Sequence, residues 1–214
     1  MILLEYARTK VRTMADVVHD LGDIPLHRIR SLPYPATEQD LNKPENKGCE
    51  LIDGILVDKA VGANESVLGL YLGRIIGNHV AQDDLGAILG TDGFFYLEGG
   101  QIRAPDVSFI PWSALPEEKI PERGHSHVEP AVFVEVLSPD NTAAEIDRKL
   151  REFFAAGAQL AWVINPRTKS ARVYTSAKRF KELDVDGTLD GGKVLPGFKL
   201  PLAELFAATR RKKK

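Results

Sequence analysis

Two acids stand where the surrounding residues ask for apolar side chains. In "AVFVEVLSPDN" (131–141) Glu135 lies between Val134 and Val136, and in "APDVSFI" (104–110) Asp106 opens an alternating run. An ionised carboxylate stranded in an apolar interior is costly unless it is paired. Each acid therefore calls for a cation, a metal ion, or a strand end that turns into a cleft. Period-two alternation groups Asp106 with Ser108 and Ile110, and Glu135 with Phe133 and Leu137. If the two strands are neighbours, the acids converge at one depth of a sheet and repel. A divalent cation relieves that repulsion by taking both as ligands, and hard oxygen donors favour Mg2+ or Mn2+. Either acid alone is more often an edge or strand-end residue. The pair, followed by the helix described next, favours a site.

That helix is "NTAAEIDRKLREFFAAG" (141–157), with Thr142 and Glu145 spaced as a capping box and Gly157 as a stop. Ile146, Leu150, Phe153, Phe154 and Gly157 form its core-facing stripe, and Lys149 flanks that stripe. A lysine so placed can lay its stem along the core and deliver its ammonium to a cleft. Equally, it can pair on the surface with Glu145, in the favourable i, i+4 order. The residues alone leave both open. Arg148 and Arg151 beside it are candidates for steering a phosphate backbone, though one helical turn cannot aim all three cations at one site.

The elements that must position these residues read as an α/β chain. Residues 1–45 are Pro-punctuated, with one short helix near 37–41, and look like an N-terminal arm or lid. "CELIDGILVDKAV" (49–61) is a strand or hairpin turned at Asp53-Gly54. Residues 64–81 carry helical spacing at Leu68, Leu72, Ile75, Ile76 and Val80. Short strands follow in "AILGTDGFFYLEGG" and "IRAPDVSFI", then a Pro- and charge-rich loop, the buried strand 131–137, the helix, and the strand "LAWVINP". C-terminal hairpins and a terminal helical turn complete the order. It predicts a central mixed β-sheet flanked by helices. The expected division is an arm (1–45), one domain (46–206) and a basic tail (207–214).

With 214 residues, 43% apolar and 27% charged, the chain is an ordinary globular one able to bury a core. A formal net charge of −2 excludes a global positive field, so phosphate binding would rest on local patches. The clusters "RTKSAR" and "KRFK" are candidates for these, or the solvated face of a hairpin. No apolar run reaches the ~20 residues that cross a bilayer, no secretory signal is evident, and Cys49 is the only cysteine. A cytoplasmic location is expected, with Cys49 in the core. His125 and His127 lack further ligands at useful spacing, and no phosphate-binding glycine loop or nucleophile elbow is present.

Taken together, "APDVSFI", "FVEVLSPDN", "RKLREFFAAG" and "AWVINP" resemble the PD-(D/E)XK nuclease superfamily, and within it a restriction-endonuclease domain family abundant in bacteria. The resemblance runs from about residue 49 to 174, with a family-like "LPGFKLPLAELF" extending it to 206. It implies a restriction-endonuclease-like core in which Pro105-Asp106 matches the Pro-Asp motif and Glu135 the acid of the second half-motif. The lysine that normally follows that acid is Leu137 here. In the close family a lysine from the next helix takes over, and Lys149 occupies that place. "ELIDG" matches a further signature and nominates Glu50, which could instead be a solvent-facing strand-end residue. A histidine usual early in the first long helix is missing, and Glu65 stands in that region as a substitute ligand or a helix N-terminal acid. The family's aspartate after the next strand is Asn165, read as a turn residue.

The implied activity is metal-dependent phosphodiester hydrolysis, with DNA as the expected partner and a homodimer as the expected assembly. Asp106 and Glu135 would hold the metal, with Glu50 as a further acid and Lys149 as the cationic group. Two alternatives stay open: an inactive nuclease fold serving as a binding or assembly module, and a hydrolase of RNA or small nucleotide phosphodiesters.

Overall fold

The computed structural model describes residues 14–30, 35–60, 62–120, 128 and 130–210. His125, His127 and the last four residues of the basic tail lie outside them. In chain order the elements are α1 (Met14–Asp20), α2 (Glu38–Leu41), β1 (Cys49–Ile52), β2 (Ile55–Asp58), α3 (Ala63–Gln82), β3 (Gly86–Leu89), β4 (Phe95–Leu97), β5 (Gln101–Arg103) and β6 (Val107–Pro111). There follow β7 (Val132–Val136), α4 (Ala143–Ala156), β8 (Leu160–Asn165), β9 (Ser170–Ser176), β10 (Arg179–Leu183), β11 (Thr188–Asp190), β12 (Lys199–Pro201) and α5 (Leu202–Ala207).

Three sheets result. The largest runs β10-β9-β8-β7-β6-β3, mixed because β7 and β8 are parallel while its other pairs are antiparallel. The parallel pair is joined through α4, the crossover that a parallel connection requires. Alternation then sorts the central strands. Val107, Phe109, Val132, Val134 and Val136 face Leu68, Leu72 and Ile76 of α3. Ile110, Phe133, Ala161 and Val163 face Ile146, Leu150 and Phe153 of α4. This is the central mixed sheet with helices on both faces that the order of elements predicts. The β11–β12 hairpin and α5 extend the α3 side, where Phe198 stacks on Trp162 at 5.3 Å between ring centroids.

The second sheet, β2-β1-β5-β4, is antiparallel. Its first hairpin turns at Asp53 (φ 50°) and Gly54 (φ 72°), two successive left-handed residues that match the right-handed twist of the paired strands. "IRAPDVSFI", expected as one strand, is two. Residues up to Arg103 pair in this sheet and residues from Val107 pair in the large one. Pro105 has no N–H to give a ladder and marks the break. The crossing between sheets places Asp106 at the mouth of the space between them.

The arm contains more structure than its prolines suggest. Besides α2, whose Thr37 and Asp40 form a capping box, α1 leads Leu21 and Ile24 into a cluster with Ile52, Ile55 and Val57. Arg28 follows. It is buried and donates two hydrogen bonds to Glu145 (3.0 and 2.7 Å) and one each to the carbonyls of Asp58 (2.9 Å) and Asp140 (3.0 Å). At the start of α4, Thr142 accepts from the Glu145 N–H and donates to the Gly22 carbonyl. The arm is thus tied to the helix carrying Lys149. Removing one partner of a buried ion pair typically costs about 3–5 kcal/mol. Arg28→Met should therefore lower stability to urea by about 3 kcal/mol, and adding Glu145→Met should recover much of that loss.

Candidate active site

Continuing the β6–β7 register (Val107↔Val134) by one residue sets Asp106 against Glu135. Asp106 donates its N–H to the Val134 carbonyl (3.0 Å), and its Oδ2 accepts from the Val136 N–H (2.8 Å). The strand end therefore fixes the carboxylate beside Glu135. Glu135 points to the α4 side of the sheet, where the Lys149 ammonium stands 2.7 Å from its Oε1. That contact lacks hydrogen-bond alignment, and the buried Oε1 has no hydrogen-bond partner among the described residues. Lys149 donates to Glu50 Oε1 (2.9 Å) and to the Ala104 carbonyl (3.3 Å). Its surface pairing with Glu145 does not occur, because Glu145 is committed to Arg28. The four candidates Glu50, Asp106, Glu135 and Lys149 line one cleft together with Arg28 and Lys59.

The charges in this cleft belong to a longer chain. Glu50 Oε2 accepts from Arg103 (3.1 Å), Arg103 donates to Glu152 (2.7 Å), Glu152 accepts from Arg148 (2.7 Å), and Arg148 donates to Asp53 (2.9 Å). From Glu135 to Asp53 the signs alternate through seven side chains, four acids and three bases. One negative charge is in excess. Glu50 does not carry it. Burial alone would raise its pKa, but Lys149, Arg103, Lys59 and the Ala104 N–H together hold the carboxyl well below the usual range. Glu135 carries it: burial, with Asp106 and Glu50 nearby, outweighs Lys149 and pushes its carboxyl up to about 7. The pKa of Lys149 is raised as well, its ammonium held above the ordinary lysine value against burial by Glu135 and Glu50.

Other expectations resolve locally. Glu65 on α3 turns its carboxylate back over Gly62 while lining the groove that adjoins Asp106. Asn165 is a turn residue, accepting from the N–H groups of Arg167 and Thr168. Arg148 is absorbed by Asp53, Glu152 and the Asp20 carbonyl, so it is not available to steer a backbone. Cys49 is buried, and burial with the Asp58 carboxylate pushes its thiol up to about 11, away from nucleophilic use. Lys59 and Arg28, which line the cleft, and Arg103, which holds Glu50 from behind it, were missed. Arg103 had a signal, as a cation inside a short strand, but Lys59 and Arg28 read as ordinary surface residues.

Among the described residues no group of three or more His, Cys, Asp or Glu side chains converges as a ready metal cage. Asp106 and Glu135 offer two oxygen-donor groups, the number with which Mg2+ is commonly held beside waters and substrate phosphates. The donor set fits a hard divalent cation, with Glu135 Oε1 in ion-pair contact with Lys149 but without a geometrically aligned hydrogen bond.

Residues 35–203 match the family described as "Uma2: Putative restriction endonuclease". The chain belongs to this family. Its fold is similar to that of a crystal structure described as "a putative nuclease belonging to DUF820 from Anabaena variabilis ATCC 29413". That protein is 21% identical, and the match covers 78% of this chain and 95% of that one with a TM-score of 0.68. At that identity the likeness is one of fold. No curated protein matches the chain. The matched residues take in both the six-stranded sheet and the smaller β2-β1-β5-β4 sheet, together with α3 and α4. Among the described residues no helix is long and apolar enough to cross a membrane.

Because the Glu135 carboxyl titrates near 7 instead of the usual 4.5, the folded chain holds a proton that the unfolded chain has released. Its contribution to stability is present at low pH and lost as pH rises from about 4.5 through about 7. Thermal melts in EDTA should therefore show Glu135→Gln gaining on wild type across that window. A constant difference between the two would contradict the assigned titration.

Proposed function

We propose that this protein is a divalent-cation-dependent endonuclease that hydrolyses phosphodiester bonds in DNA. The observation that carries the reading is the meeting of Asp106, Glu135 and the Lys149 ammonium in one cleft, within a family described by nuclease activity. Asp106 and Glu135 would hold the cation, which when bound supplies Lewis acidity toward the phosphoryl oxygens. Asp106 is the more exposed of the two and stands at the mouth, where substrate arrives.

Lys149 supplies a fixed positive charge where negative charge grows in the transition state. Its stem is packed and its head is held by Glu50, so little reorganisation is needed at the moment of reaction. It also orients the attacking water by donating to it. Glu50 has both oxygens committed, to Lys149 and the Ala104 N–H on one side and Arg103 on the other. It is a positioning residue for the lysine, and metal binding falls to the other two acids. Glu135 must be ionised to bind a cation, so binding should strengthen as pH rises through about 7.

The test is nicking of supercoiled plasmid with Mg2+ or Mn2+. Wild type should nick and lose that activity in EDTA, while Asp106→Asn and Lys149→Ala, verified as folded by circular dichroism, should lose at least ~100-fold. Equal nicking by all three proteins would mark a contaminant and favour a binding module. Faster cleavage of RNA than DNA in the same assay would reassign the substrate.

A further inference from the structure

Lys59 is a second cation at the site that the motif residues do not include. It follows β2, its side chain is 10% exposed, and its ammonium stands 3.5 Å from Asp106 Oδ1 while donating to the Thr91 carbonyl at 3.3 Å. It lines two cavities at once. One is the cleft of Glu50, Glu135 and Lys149, and the other is the adjoining groove walled by Gly48, Gly62, Ser66 and Gly69, with Glu65 and Asp92 also on its lining. Asp106 and Ala60 are the other residues common to both. Lys59 therefore stands at the passage through which anything long enough to leave the cleft along that groove must pass.

Charge decides what it waits for. Around the cleft, Glu50, Asp106 and Glu135 face Lys59 and Lys149, while Arg28 and Glu145 cancel one another. A divalent cation held by Asp106 and Glu135 would turn one excess negative charge into one excess positive charge. A phosphodiester monoanion neutralises that excess. An ammonium 3.5 Å from Asp106 Oδ1 also competes electrostatically with any cation bound to the same carboxylate.

Building on the nuclease reading, we propose that Lys59 is a phosphate-binding residue of the site, its ammonium beside Asp106 placed to meet a substrate phosphate at the mouth of the cleft and to compete with a divalent cation for the Asp106 carboxylate. Its two partners imply two opposite effects of removing it. Without Lys59 the metal loses a competitor, and the nucleic acid loses a contact. A lysine that merely braced the Thr91 loop would produce no such opposition.

The experiment compares wild type, Lys59→Met and Lys59→Arg with two probes. Mn2+ alone, followed by electron paramagnetic resonance, should bind several-fold tighter to Lys59→Met than to wild type. A fluorescein-labelled DNA duplex in Ca2+, followed by anisotropy over a KCl series, should bind Lys59→Met about tenfold more weakly. The slope of log K against log salt should be shallower by ~0.9, the signature of one lost phosphate contact, and Lys59→Arg should keep the wild-type slope. An unchanged duplex affinity and slope, or weaker Mn2+ binding, in Lys59→Met overturns the proposal and leaves the nuclease reading intact. Wild type that binds neither probe overturns both.

Discussion

The ammonium of Lys149, held between the carboxylates of Glu50 and Glu135, is the interaction on which the rest of this architecture turns. Its three members come from α4, β1 and β7, which belong to a helix and two different sheets. All three are buried, and taking charges out of water costs several kcal/mol for each ion unless their pairing returns it. That requirement explains the company they keep. Arg103 covers the second oxygen of Glu50, Glu152 covers Arg103, and the alternation continues to the β1–β2 turn at Asp53. The chain of ion pairs fastens the small sheet to α4, and its far end fixes the geometry of the cleft.

The same chain explains why the two glutamates behave differently. Glu50 lies between two cations and is a settled anion. Glu135 shares one cation with Glu50 and has Asp106 beside it, so it is the group with charge to spare. A site that keeps one acid satisfied and another frustrated has a place for a further positive charge and a rigid frame around it. Lys149 and Lys59 stand between the three carboxylates and limit their mutual repulsion.

Much of this was legible in the sequence, and for identifiable reasons. Alternation in two short strands placed Asp106 and Glu135 on matching positions, and the β6–β7 register brings them together. The spacing of α4 put Lys149 beside the apolar stripe, although residues alone could not decide between cleft and surface. That decision depended on Glu145, which is taken by Arg28 from a distant segment. Long-range partners of this kind leave no periodic trace. The arm was underestimated for the same reason: Leu21, Ile24 and Arg28 show no regular spacing, and only tertiary packing gives them a role. The split of "IRAPDVSFI" was signalled by Pro105, whose missing N–H ends one ladder before the next begins. Lys59 carried no signal, since a lysine after a strand is usually solvated.

The proposed chemistry needs a divalent cation held by Asp106 and Glu135 within the frame that Lys149 and Glu50 fix. Anomalous diffraction from crystals soaked in Mn2+ at a pH above 7, where Glu135 is ionised, tests this directly. The expected result is an anomalous peak beside Asp106 and Glu135. Crystals in which Mn2+ binds elsewhere, or nowhere, would contradict that reading.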